Sequence, residues 1–258
     1  MTEKLHMRHR FLRCRYKSEA PSIRFLLDLP LEGGTLVDIG ANVGVFAYYL
    51  SRLAGPSGTV YAFEAQPELG PHLQALAVSF GLENLRVVNR GVSSRPGVLR
   101  MHRTIAGSGQ ASFHHAPGGG LEEIEVPVTT LDSFFEETAH EPIRFMKCDV
   151  EGHELEVFRG AERILREDGP ILLFECHDEQ ARHGALFHFL VGLGYDGVFF
   201  HVDRADHDSL LRNTRGSYQH YTAFDRFDYV RPGVRHRNYI FMKDRGRLKE
   251  LMEAGSPA

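Results

Sequence analysis

Asp38, Glu64, Asp149 and Glu175 each lie at or beside the end of an apolar, β-branched or aromatic run. The runs are Thr35 to Ile39, Thr59 to Phe63, Ile143 to Val150 and Ile171 to Glu175. In an open α/β sheet the ligand sits beyond the carboxyl ends of the strands, so these acids would converge on one edge. An acidic rim suits a ligand that carries positive charge. A carboxylate within reach of a hydroxyl can also take its proton, and His177 and His153 add imidazoles as candidate bases. Asp149 and Glu175, on neighbouring strand ends, are candidates to hold a divalent cation that would acidify such a hydroxyl.

The turn after the first strand narrows the ligand. Gly40 and Gly44 flank Ala41-Asn42-Val43, letting backbone approach a bound molecule where a Cβ would collide. A helix beginning near Val45 points its free N–H groups at the same spot. A dinucleotide site needs G-x-G-x-x-G with its first glycine at the strand end. Asp38 stands there instead, disfavouring a pyrophosphate and welcoming an ammonium group. Glu64, about 20 residues on at the tip of the second strand, is placed to bond ribose hydroxyls. Both signals together outweigh an ordinary strand–turn–helix corner.

Val37-Asp38-Ile39-Gly40-Ala41-Asn42-Val43-Gly44 followed by Phe63-Glu64 resembles the S-adenosylmethionine (SAM) site of class I methyltransferases. Four later pieces resemble the FkbM family more narrowly. They are Thr130-Leu131-Asp132-Ser133-Phe134, Met146-Lys147-Cys148-Asp149-Val150-Glu151-Gly152, Glu154 to Ala161, and Pro170 to Glu175. The resemblance runs from about Leu36 to Tyr239, and the Lys-x-Asp-x-Glu-Gly piece is its most specific part. It implies a SAM-dependent methyltransferase, with O-methylation of a hydroxyl on a small metabolite, sugar or natural product. Asp38 would face the amino group of SAM, with Gly40, Ala41, Asn42 and Gly44 around its methionine part. Glu64 would meet the ribose, Gly91-Val92 would border the adenine, and Asp149 would adjoin both cofactor and acceptor. The family usually carries proline after the acid, whereas here Ala65-Gln66 precede Pro67, which alters the ribose-side loop. A nicotinamide-dependent oxidoreductase and a non-catalytic module on the same fold are the alternative readings.

These residues need a doubly wound, mostly parallel sheet to position them, and the pattern supplies one. Helices are expected after Pro21, from Val45, from Pro67 to Phe80, from Leu131 to Thr138, from Glu154 to Leu165 and from Ala185 to Leu193. They alternate with seven strands, the third running from Leu85 toward Val92 and the last two being Gly197 to Val202 and Tyr239 to Met242. Val98 to Thr104 and Glu122 to Thr130 read as a β-hairpin insertion between strands three and four. Its intervening loop holds Gly107, Gly109 and Gly118-Gly119-Gly120, which favour mobility. Glu151-Gly152 is expected to cap the helix that follows. Asp203 to His236 reads as a long polar loop, and its cluster His201, Asp203, Asp206, His207 as lid surface rather than metal ligands.

One domain is expected over residues 1–258: a basic arm and helix to residue 30, a catalytic core over 31–244, and a tail. The arm (Lys4, Arg8, Arg10, Arg13, Arg15, Lys17) reads as solvated or as folded over the substrate. The net charge of −4 gives no argument for nucleic acid. No apolar run has the length of a membrane span, and the basic start lacks a signal-peptide core. Three scattered cysteines suit reduced thiols in a cytoplasmic setting. The acceptor pocket is expected from the arm, the Gly-rich insertion and the long loop. A homo-oligomer and a metal requirement both stay open.

Overall fold

In the computed structural model, residues 2–107, 109, 111–114, 121–177, 184–202, 216–226 and 236–253 are described. The first strands fall where the apolar, β-branched runs put them: β1 (Thr35–Ile39), β2 (Thr59–Phe63) and β3 (Leu85–Val88). Next come β4 (Gly91–Val92), β5 (Gly97–Arg103), β6 (Glu122–Thr129), β7 (Ile143–Cys148) and β8 (Ile171–His177). The last are β9 (Asp196–Val202), β10 (Gly216–His220) and β11 (His236–Met242). The main sheet has eight strands in the order β10-β9-β11-β8-β7-β1-β2-β3. Strands β1, β2, β3, β7 and β8 are parallel, and β9, β10 and β11 are antiparallel.

Strand parity divides the core into two layers, since successive side chains face opposite sides. Val37, Ile39, Tyr61, Phe63, Met146, Cys148, Leu172 and Phe174 pack in one layer. Leu36, Val60, Ala62, Phe145 and Leu173 pack in the other. The first layer is covered by α5 (Leu131–Glu136), α6 (Glu154–Arg159), α7 (Glu162–Glu167) and α8 (Ala185–Gly192). The second is covered by α1 (Thr2–Arg13), α2 (Ala20–Leu27), α3 (Val45–Ala54), α4 (Leu69–Phe80) and α9 (Arg245–Glu253).

The structure departs from the sequence reading in five places. The sheet has an eighth strand, β10, inside the stretch read as a loop, where it pairs antiparallel with β9. The third strand stops at Val88; Gly91-Val92 instead pair with β6, giving a separate three-stranded sheet, β4-β6-β5. The helix expected over Glu154 to Leu165 breaks at Gly160, whose carbonyl accepts from Asp132 N–H at 2.9 Å and where a Cβ would lie 2.1 Å from the Ser93 carbonyl oxygen. Asp132 then caps the second piece, accepting from the N–H groups of Arg163 (2.9 Å) and Ile164 (3.1 Å). The tail holds α9, with Leu248 buried. The basic arm is helix α1, continued by a wider turn, Cys14–Ser18. Its Phe11 is 3% exposed and stacks on Tyr48 with ring centroids 4.1 Å apart. Gly118, Gly119, Gly120, Asp203, Asp206 and His207 lie outside the described residues.

Docking of α1 has a measurable consequence. Phe11→Ala deletes the stack on Tyr48 and the edge contact to Phe80, and should cost about 3–5 kcal/mol of unfolding free energy. An unshifted urea midpoint would mean that α1 does not pack on α3.

Candidate active site

The turn after β1 is held from both sides. The N–H groups of Gly40 and Ala41 both donate to the Phe63 carbonyl at 3.0 Å, and Asp149 N–H donates to the Ile39 carbonyl at 3.0 Å. Gly40 has φ +77°, and a Cβ on it would lie 1.9 Å from the Asp149 carbonyl oxygen, so only glycine closes this junction. Asn42 adopts φ +49° and its Oδ1 accepts from the Val43 N–H at 2.7 Å. Gly44 also serves packing: it has φ +85°, and a Cβ on it would lie 2.8 Å from Leu73 of helix α4.

Beyond this turn lies a narrow cleft, open to solvent. Gly40, Asn42 and Glu64 line it on the β1–β2 side, and Gly91, Val92, Met101 and Phe113 on the side of the small sheet. Asp149, Val150 and Glu151 line its far end. Glu64 is buried, its Oε2 accepting from Asn42 N–H (2.7 Å) and its Oε1 from Gln66 N–H (2.9 Å). Burial raises its pKa, and the bonds from Gln66 and Asn42 oppose that rise. The small sheet is clamped beside it by Arg103, which is ion-paired with Glu68 and, at 2.9 Å, with Glu122. Asp38 and Ala41 do not line the cleft.

Asp38 sits beneath the turn, 2% exposed, and is the register partner of Lys147 across β1 and β7. It takes a backbone hydrogen bond from Ala47 in the first turn of α3. Its Oδ2 is buried with no partner among the described residues. Burial pushes its carboxyl up to about 7, against the pull of Lys147.

Lys147 is 1% exposed, its Nζ 3.1 Å from Asp149 Oδ2 and 5.0 Å from the centre of the Phe46 ring. Burial lowers its affinity for a proton, but Asp149, Glu175, Glu19 and Asp38 together hold it above the ordinary lysine range. Asp149 is raised by burial, opposed by Lys147 and reinforced by Glu175, with which it shares a hydrogen bond. Glu175 is the register partner of Asn238 on β11. Asn238 Nδ2 donates to Glu19 Oε2 at 3.0 Å, bringing a carboxylate from just before α2 into the group. Asp38 and Lys147 are register partners across β1 and β7, and Glu175 and Asn238 across β8 and β11; Lys147 itself faces Leu173, so the second polar pair stands two residues further along β8, with Glu19 hydrogen-bonded to Asn238.

The histidines divide. His177 is the last residue of β8, and its side chain lies outside the described part of the structure. His153 has both ring nitrogens engaged, Nε2 with Ser93 Oγ and Nδ1 with His114 Nε2, each at 2.9 Å. Burial, then His114, lowers its pKa to about 4. It is a neutral structural link, which corrects its reading as a base. The expected Glu151-Gly152 cap is corrected too: Glu154 Oε1 accepts from Gly152 N–H (3.1 Å) and Val150 N–H (3.3 Å), while Glu151 is in a left-handed conformation.

Residues 38–196 match the family model described as "Methyltransferase FkbM domain", more than half of the chain. The chain belongs to the FkbM family of SAM-dependent methyltransferases. Methyltransferase sdnD of Sordaria araneosa is 26% identical over 49% of this chain and 60% of its own length. Hexuronic acid methyltransferase AglP of Haloferax volcanii is 27% identical over 58% of this chain and 59% of its own. The chain thus spans about three fifths of these curated relatives. In fold it is similar to methyltransferase FkbM from Methylobacillus flagellatus, at TM-score 0.50 and 16% identity, over 83% of this chain and 45% of that one.

Sequence reading of this FkbM chain gave Lys147 no role and missed Glu19 and Asn238. Lys147 had a signal: it shares strand parity with the core residue Phe145, where an unpaired lysine is costly. Glu19 had none, since one acid among basic residues reads as solvated. Among the described residues no group of three or more His, Cys, Asp or Glu is arranged to hold a metal ion. Beside Asp149 and Glu175, the resident cation is the Lys147 ammonium. No described helix is long and apolar enough to cross a membrane.

The cluster makes stability depend on pH. Asp38 and Glu19 sit near 7 in the folded chain, above their ordinary 3.8 and 4.5, so each opposes folding increasingly as pH rises through that window. The Lys147 ammonium counters them. Lys147→Met should therefore cost about 3–5 kcal/mol at alkaline pH, and less in acid where the carboxyls hold protons. Equal losses in urea unfolding at both pH values would contradict the arrangement.

Proposed function

We propose that this chain uses SAM to methylate a hydroxyl on a small-molecule acceptor such as a sugar or a natural product. The observation that carries the reading is the cleft running from buried Glu64 to Asp149, with the orphaned Asp38 Oδ2 beneath its glycine turn. The residues suit the group in three respects. Asp38 offers a buried acceptor to an ammonium, directly or through water. The turn brings Gly40 and Asn42 to the cleft wall. Glu64 keeps lone pairs for ribose hydroxyls after accepting two backbone N–H groups. Gly91 and Val92 would border the adenine, since the small sheet brings them to the cleft wall.

When bound, SAM supplies an electrophilic methyl group. The chain's own work is to align the acceptor oxygen and exclude water, worth up to about 7–11 kcal/mol in well-oriented reactions. Asp149 stands where the cleft meets the charged group, so Asp149 and Glu175 are assigned to hold the acceptor hydroxyl, with His177 at the same strand end. Asp38 in place of the first dinucleotide glycine supports SAM over a nicotinamide. The name of the Haloferax relative supports a sugar-derived acceptor.

Two measurements test this. Calorimetry should show S-adenosylhomocysteine binding that Glu64→Ala weakens roughly 10–100-fold, the loss of a charged hydrogen-bonding partner. Unchanged affinity, or binding of NAD alone, would overturn the cofactor assignment. With methyl-labelled SAM and a panel of hydroxylated metabolites, label should appear in ethers that survive mild base. Asp149→Asn should slow that transfer more than it weakens S-adenosylhomocysteine.

A further inference from the structure

One wall of the cleft comes from outside the strand ends. Phe113, on the segment linking β5 to β6, lines the cleft together with Ala65, Gly91, Val92 and Met101. It packs against the small apolar group of Ala65, Met101, Val126 and Val128, which are buried, yet is itself only partly buried. The ring is held from several sides. A Cβ on Gly91 would lie 3.3 Å from Phe113 Cζ, and the His153 ring centre is 4.8 Å from that of Phe113. Before it, Ser112 exchanges two backbone hydrogen bonds of 2.9 Å with His102 on β5, and its Oγ donates to the Glu151 carbonyl at 2.8 Å. After it, His114 Nε2 is hydrogen-bonded to His153 Nδ1, whose Nε2 is hydrogen-bonded to Ser93 Oγ, each at 2.9 Å. His153 thus ties the residue after Phe113 to the residue after Val92, fixing these two parts of the wall relative to each other. A side chain already fixed in place loses little freedom when a ligand meets it.

We infer that Phe113 is a specificity-determining residue of the cofactor site, the side chain on which the adenine ring of SAM stacks. This rests on the SAM reading and adds to it a residue for the base, supplied by the insertion. An aromatic ring with part of its surface left in a cleft suits a flat, apolar-faced group, because offset stacking adds to the area that is buried. The polar partner lies on the same cleft: Glu64 is assigned to the ribose, and Ala65, next in the chain, belongs to the apolar group around Phe113. A nucleoside with its ribose at Glu64 therefore has apolar wall beside it for the base. The small sheet, clamped by Arg103 to Glu68 and Glu122, then serves to carry this ring to the cleft.

The test uses the full chain and calorimetry with two ligands, S-adenosylhomocysteine and S-ribosylhomocysteine, which keeps the ribose and the amino acid but lacks the base. Phe113→Ala should weaken S-adenosylhomocysteine roughly 5–150-fold, the range that base–aromatic stacking supplies, and leave S-ribosylhomocysteine at the parent's affinity. Phe113→Tyr should recover most of the loss. Phe113→Leu, which restores apolar volume without a flat face, should recover little. The chain contains no tryptophan, so Phe113→Trp carries a single indole. S-adenosylhomocysteine should quench its emission and S-ribosylhomocysteine should not. The leucine and tryptophan variants carry the test if the alanine variant unfolds. Unchanged affinity in Phe113→Ala, equal losses for the two ligands, or full rescue by leucine would overturn the assignment and leave Phe113 as packing for the small sheet. An unquenched indole in a variant that binds S-adenosylhomocysteine would overturn the contact itself. A parent chain that binds neither SAM nor S-adenosylhomocysteine would instead bring down the cofactor reading, and this inference with it.

Discussion

An ammonium group inside a sheet face is the constraint on which the rest of this structure depends. Lys147 is 1% exposed between two strands, and a lone buried charge of that kind is costly. Attraction to partners repays that cost only with good geometry and several of them. Asp149 supplies the direct contact, and Glu175, Glu19 and Asp38 supply the field. These partners come from the ends of β7 and β8, from the segment before α2, and from β1. Satisfying one lysine therefore draws together the first strand, two neighbouring strands and the N-terminal segment.

The same arrangement joins the two halves of the candidate site. On one side of Asp149 lies the cleft over β1 and β2, built from backbone, with Glu64 carrying its charge. On the other lies the charged group around Lys147, which includes Glu19, hydrogen-bonded to Asn238. Gly40 is the hinge between them, since any side chain there would collide with the Asp149 carbonyl. The sheet beneath both halves is rigid because its strands are packed on both faces.

Much of the scaffold was legible because it follows from local chemistry. β1 and β2 lie at the apolar runs that predicted them, and α3 begins at Val45. Asp38, Glu64, Asp149 and Glu175 were visible because strand-end acids have few structural reasons to recur. What escaped depends on distant neighbours. β10 is a short strand of Gly, Ser, Tyr, Gln and His with no apolar period, and it exists through its pairing with β9. Gly160, where the helix breaks, packs against the Ser93 backbone, 67 positions earlier in the chain. The basic arm looked solvated because its charges outnumber its apolar residues, yet Met7 and Phe11 are buried and Phe11 stacks on Tyr48 of α3.

The sequence by itself determined the alternation of strands and helices, the glycine turn and the acids at the strand tips. Each of these is written in the period, size or charge of near neighbours. Only the tertiary structure decided that Gly44 serves helix packing, that His153 is tied off between Ser93 and His114, and that Glu19 meets Asn238. Those outcomes turn on contacts between residues 29 to 219 positions apart, and no local pattern encodes a distance that only folding closes.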